Sequence, residues 1–142
     1  MITFASAYGY TRAIAEALKE GALSVPGTRV HFMELGPESP AEVAKILSCA
    51  DGILVGSPTI IGNIVEPVME FLVHINPIIH KGLKASAFGS FGWSGEAVPM
   101  MLERMKSLKL NVVEPGLRIN FKPSADDLEE AKEFGRRFAA DL

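Results

Sequence analysis

The sequence predicts a three-layer α/β sandwich: five parallel strands in the order 2-1-3-4-5, with helices on both faces of the sheet. Three observations lead there. Short apolar runs alternate with helix-period segments along all 142 residues. The run 51–57 (DGILVGS) is apolar almost throughout instead of alternating, the mark of a strand covered on both sides. Parallel strands also need crossovers of one hand, so strands interleaved with helices leave few other topologies.

Each element has its own signal. The first strand is expected at 2–5 (ITFA), then a helix over 11–22 with Ile14 and Leu18 on one face and Gly21 near its end. The stretch 28–35 (TRVHFMEL) alternates as a second strand. Ser39-Pro40-Ala41-Glu42 spells a capping box with proline at the first helical position, so a helix should start there and run through Val43, Ile46 and Leu47. After the third strand, 51–57, comes a helix over 66–75 closed by Pro77. The fourth strand is 84–90 (KASAFGS), and EAVPMMLERMKSLK is the helix behind it. A last strand, 111–121, should bend near Pro115-Gly116. The final helix carries Leu128, Ala131, Gly135 and Phe138 on one stripe.

Composition narrows the function classes. With 48% hydrophobic residues and no compositional break, residues 1–142 are expected to form a single domain. A net charge of -3 with scattered Lys and Arg gives no footprint for nucleic acid. Apolar runs fall far short of the roughly 20 residues of a membrane helix, and no signal-peptide pattern opens the chain. The lone Cys49 excludes an intrachain disulfide framework and fits a reducing, cytoplasmic compartment; it is expected to be a small packed residue.

In such a sheet, ligands sit beyond the carboxyl ends of the strands where strand order reverses, here between strands 1 and 3 with strand 4 alongside. Three loops lie there. The first, Ser6-Ala7-Tyr8-Gly9-Tyr10-Thr11, offers backbone N–H groups and hydroxyls beside a helix N-terminus, with Gly9 letting the backbone come close. It reads either as an anion site without a lysine or as an ordinary capped turn; it lacks the Gly-Lys-Ser/Thr of a nucleotide-hydrolysing loop. The second, GSPTIIGNIVEP, presents Ser57, Pro58, Thr59, Ile60, Gly62 and Asn63, with Gly62-Asn63 as a turn signal and Ile64 and Val65 expected in the core. The third, Ser90-Phe91-Gly92-Trp93-Ser94-Gly95, sets the chain's single tryptophan among glycines. That indole either stacks on a flat ligand or packs over the sheet edge. One phosphate, an aromatic wall and many backbone donors describe a phosphorylated planar heterocycle, and flavin mononucleotide (FMN) fits.

Ser6-Ala7-Tyr8-Gly9-Tyr10-Thr11, then Ala50-Asp51-Gly52 leading to Gly56-Ser57-Pro58-Thr59, then Phe88-Gly89-Ser90-Phe91-Gly92-Trp93-Ser94-Gly95-Glu96-Ala97-Val98 resemble the flavodoxin domain of flavodiiron proteins. The resemblance covers nearly the whole chain and implies a flavodoxin-like fold with FMN as cofactor. It places Ser6, Tyr8, Gly9 and Thr11 around the phosphate, Ser57 to Asn63 along the ring system and Ser90 to Gly95 on its other flank. Three positions depart from the family pattern. Ile61 and Tyr10 stand where relatives often carry asparagine, and Pro99 falls in the first turns of a helix, where it should cost a hydrogen bond and delay or kink the helix.

The resemblance implies an electron-transfer domain that takes electrons from a reductase or rubredoxin-like donor and passes them to the diiron site of an oxygen or nitric oxide reductase, in a parent protein able to form a homodimer. His31, His74 and His80 cannot assemble that diiron site here, so no metal and no catalytic side chain are assigned to this chain. A free-standing small flavodoxin and a flavodoxin-fold NAD(P)H:quinone reductase are the alternatives, with a cofactor-free interaction module as the bland one. A response-regulator-like domain is disfavoured, because Ala5-Ser6 and Ser57-Pro58 stand where it needs acidic residues.

Overall fold

The structure, a computed structural model, describes residues 1–142. The chain runs through β1 (Ile2–Phe4), α1 (Tyr10–Leu23), β2 (Phe32–Glu34), α2 (Pro40–Ala44), a 3-10 turn (Lys45–Cys49) and β3 (Gly52–Gly56). A small antiparallel hairpin, β4 (Thr59–Ile60) and β5 (Asn63–Ile64), precedes α3 (Glu66–Val73). Then follow β6 (Lys84–Phe91), α4 (Ala97–Ser107), β7 (Asn111–Val112), β8 (Leu117–Asn120) and α5 (Ala125–Ala140).

The main sheet is parallel throughout, in the order β2-β1-β3-β6, and β6 then pairs with both β7 and β8. The 2-1-3-4-5 order therefore holds, with the fifth strand in two pieces. The break falls where the sequence placed a bend: Pro115 has no N–H to give the ladder, and Gly116 turns at φ 78°. Successive side chains alternate between two cores, as the pleat requires. Ile53 and Val55 join the core beneath α3 and α4, with Phe71, Met101 and Met105, while Leu54 joins Phe4, Leu18 and Phe88 in the core beneath α1 and α5. All five residues of β3 are buried, in accord with its unbroken apolar run.

Several local expectations change. Gly21 does lie near the end of α1, which closes at Leu23, but its role is at the contact of α1 with α5: a Cβ there would sit 1.8 Å from the Lys132 carbonyl oxygen. Gly135 does the same from the α5 side, against the Leu18 carbonyl. The capping box expected at Ser39 does not form, because the Glu42 carboxylate is held by Lys45 at 3.0 Å instead. A true capping box opens α5, where Ser124 Oγ accepts from the Asp127 N–H and Asp127 accepts from the Ser124 N–H. The second helix is correspondingly short and tightens into the 3-10 turn, at whose end Cys49 is exposed, not packed. The second strand is also shorter than 28–35, although the His31 carbonyl already accepts from the Ile2 N–H. Pro99 does not delay α4. It is the third residue of a helix that begins at Ala97, where its missing N–H would have no partner within the helix.

The contact between α1 and α5 should be intolerant of any side chain at its tightest point. Gly21→Ala is expected to cost about 3 kcal/mol, the upper end for overpacking against backbone. Thermal denaturation would show this as a clear drop in Tm. An unchanged Tm would mean that the helices lie further apart.

Candidate functional site

The three loops meet at one edge of the sheet because β1, β3 and β6 are neighbours and all point the same way. In the first loop the Ser6 hydroxyl accepts from the N–H groups of Gly9 (3.1 Å) and Arg12 (3.4 Å). With both lone pairs engaged, its own proton can only be donated outward. Gly9 sits at φ 83°, a left-handed turn that starts α1 and costs glycine no strain. The backbone N–H groups of Ala7, Tyr8, Tyr10 and Thr11 find no acceptor within the protein. The loop thus presents unpaired backbone donors at the N-terminus of α1, with its turn tied by the Ser6 hydroxyl. Its nearest cation is turned away: Arg12 reaches Glu34 at 2.8 Å and Glu16 at 3.5 Å.

Beside these donors opens a cavity of about 300 Å³. Tyr8 and Tyr10 form one wall, their rings tilted at 45° with centroids 6.3 Å apart. Pro58, Thr59 and Ile60 form another, and Ser90, Phe91 and Gly92 close the end of β6. Phe121 completes the lining, and no sequence argument had assigned it a place in the site. The available signal was an aromatic residue directly after the carboxyl end of the last strand, at a left-handed φ of 56°. A larger apolar groove, about 690 Å³, runs between α3 and α4 past Met69, Val73 and Met100. It lies on the helical flank, away from the unpaired loop donors.

The remaining expected residues divide by what their side chains do. Ser57 is fully buried, donating to the Pro58 carbonyl and accepting from the Val65 N–H, so it shapes the second loop from inside. The Thr59 hydroxyl accepts from the Ala97 N–H, tying that loop to the start of α4. Asn63 Oδ1 accepts from the Ile64 N–H, and Ser94 donates to Glu96. The turn residues of the hairpin are Ile61 and Gly62, at φ 50° and 68°, not Gly62-Asn63. Ile64 is in the core, as expected. Gly95 is held from the last strand by Arg118, which donates to its carbonyl at 3.4 Å and lies over the Phe91 ring. Trp93 projects from the third loop with 95% of its surface exposed, so it does not pack over the sheet edge.

A phosphate-scale donor cluster beside an aromatic-walled slot, at the switch point of a parallel sheet, calls for comparison with known proteins. The flavodoxin family model matches residues 2–135. The chain belongs to the flavodoxin family. It is 42% identical to a type A flavoprotein of Rhodobacter capsulatus over 142 residues, all of this chain and 33% of that protein. The flavodiiron protein from Giardia intestinalis superposes with a TM-score of 0.91 at 28% identity, over 98% of this chain and 34% of that one. A flavodoxin from the domain Archaea gives 0.83 at 30% identity, covering 99% and 98%. This chain thus spans about a third of the length of the type A flavoproteins it matches, and corresponds to their flavodoxin-like part. FMN is the cofactor of the family. The four unpaired N–H groups and the Ser6 hydroxyl suit its phosphate, and the aromatic cavity suits its ring.

Two side chains in these loops lend themselves to direct test. Ile61 is β-branched, 99% exposed and left-handed, a costly combination that asparagine tolerates better. Ile61→Asn is expected to stabilise the cofactor-free protein by about 1 kcal/mol in urea denaturation, within the usual range for relieving such strain. Trp93→Ala should leave the melting temperature of the cofactor-free protein nearly unchanged. A loss of about 3–5 kcal/mol, the scale of a core truncation, would place the indole in the interior.

Proposed function

We propose that this chain carries electrons, one or two at a time, on bound FMN, as the flavin-holding part of a flavodiiron-type oxidoreductase. The observation that carries the reading is the convergence of neutral donors and aromatic walls at a single strand-end site. When bound, FMN supplies reversible one- and two-electron chemistry, and the protein supplies position and electrostatics. The N–H groups of Ala7, Tyr8, Tyr10 and Thr11 would hold the phosphate, joined by the Ser6 hydroxyl. Tyr8, Tyr10, Pro58, Ile60, Phe91 and Phe121 would exclude water from the ring, and Trp93 would fold against it from the third loop. No general base or nucleophile is needed.

The electron donor in this reading is a reductase or rubredoxin-like protein of the cytoplasm. The acceptor is a diiron domain of the same parent protein, which reduces oxygen or nitric oxide and brings two copies together as a homodimer. Support comes from the coverage: all of this chain matches one third of a type A flavoprotein. A free-standing carrier is the second reading, favoured by the match to nearly the full length of an archaeal flavodoxin. Both readings require the same cofactor site.

Calorimetry on the cofactor-free protein tests that requirement. FMN should bind at least tenfold more tightly than riboflavin, because only FMN engages the phosphate donors, each such bond to a charged group contributing about 1–3 kcal/mol. FAD should gain nothing over FMN, since no second Gly-rich turn receives an adenosine half. Equal affinity for FMN and riboflavin would refute the phosphate site. Rapid bleaching of the bound flavin by NADH or NADPH alone would favour a quinone-reductase activity over a carrier.

A further inference from the structure

One buried polar pair joins the first loop to the third. Thr11 is 1% exposed and Ser90 6%, and their hydroxyl oxygens lie 2.9 Å apart. Neither hydroxyl has another hydrogen-bond partner in the protein. Two hydroxyls sharing one bond use one proton, and the other is left without an acceptor. An unpaired buried donor is costly, so the pair is built to be completed by something that accepts.

The position of Thr11 decides which proton that is. Thr11 is the second residue of α1, and its own N–H is one of the unpaired donors of the first loop. A threonine hydroxyl lies close to the N–H of its own residue, so an anion oxygen held by that N–H is also within reach of Oγ1. Ser90 sits at the carboxyl end of β6, beneath the aromatic cavity. We infer that Ser90 is a positioning residue for the phosphate: it donates to Thr11 Oγ1 and so directs the Thr11 proton at the anion. This rests on the FMN reading above and gives Ser90, which also lines the aromatic cavity, a role at the phosphate end. A hydroxyl that accepts one hydrogen bond also donates a stronger one, so the relay favours a charged acceptor over water. It also makes the strand end that launches the third loop part of the phosphate site.

The test is a double-mutant cycle read with two ligands, FMN and riboflavin, on the cofactor-free protein. Ser90→Ala should weaken FMN about tenfold and leave riboflavin unchanged, one charged hydrogen bond being worth about that factor. Thr11→Val, which keeps the shape and removes the hydroxyl, should weaken FMN by at least as much. Adding Ser90→Ala to Thr11→Val should then change nothing further, because Ser90 acts only through Thr11. Ser90→Cys, which keeps a weak donor, should recover part of the loss. Melting curves of each cofactor-free variant separate these effects from misfolding. The inference is overturned if Ser90→Ala weakens riboflavin and FMN equally, since Ser90 would then touch the ring or its side chain. It is overturned too if the two losses multiply in the double variant. Equal binding of both flavins by the unaltered protein would instead bring down the FMN reading itself.

Discussion

The parallel pairing of β1 with β3 and of β3 with β6 is the constraint on which the rest of the molecule depends. Parallel neighbours cannot be joined by tight turns, so each must return through a crossover. Every carboxyl end then opens on one edge of the sheet. Because β1 and β3 lie side by side while their crossovers leave in opposite directions, a crevice forms between the loops that follow them. The third loop arrives alongside on β6. Two cores clamp this arrangement from above and below, and the α1–α5 contact, closed to backbone distance by Gly21 and Gly135, braces the helix whose first turn carries the anion donors. Thus fold stability and site geometry share the same strands and the same helix.

The electrostatic character of the site follows from what its cation does. Arg12 is the basic residue nearest the first loop, and Glu34 on β2 and Glu16 on α1 draw it to the outer side of the helix. The donors that remain are dipoles: backbone N–H groups, hydroxyls and the N-terminus of α1. Dipoles fixed by the fold can stabilise a charge without reorganising, while leaving little positive charge to favour a negative ring.

Much of the fold was legible because its signals are local. The apolar run of β3 could only be a doubly covered strand, and Pro115-Gly116 could only interrupt a ladder. The three site loops were legible for a related reason, since small and polar residues at strand ends have no role in a core. What escaped was decided by partners distant in sequence. Gly21 marked the end region of its helix correctly, but nothing nearby in the chain reveals that the Lys132 backbone will press against it. Ser39 to Glu42 matched a capping box, but Lys45 competes for the same carboxylate. Ser57 and Asn63 offered polar groups to a ligand, and nothing local revealed that the Ser57 hydroxyl and Asn63 Oδ1 would also tie the second loop internally. Phe121 enters the cavity only because β8 pairs with β6 beyond the break, bringing residues 91 and 121 together: the Phe121 N–H donates to the Phe91 carbonyl at 2.7 Å. Thr11 and Ser90, 79 positions apart, could not be paired without the sheet order.

The claim at the centre of this account is that one phosphate is held by neutral donors at the start of α1. Such a site stabilises the doubly charged phosphate over the singly charged one, which lowers its second pKa from the ordinary value of about 6. Binding is then fully favoured above that ordinary value and weakens as pH falls through the lowered one. Phosphorus NMR of the FMN-loaded protein reads this directly. The account predicts a phosphate resonance that stays at its dianion position from about pH 8 to about pH 5, while free FMN titrates across the same range. A bound phosphate that titrates near 6, as free FMN does, would contradict it.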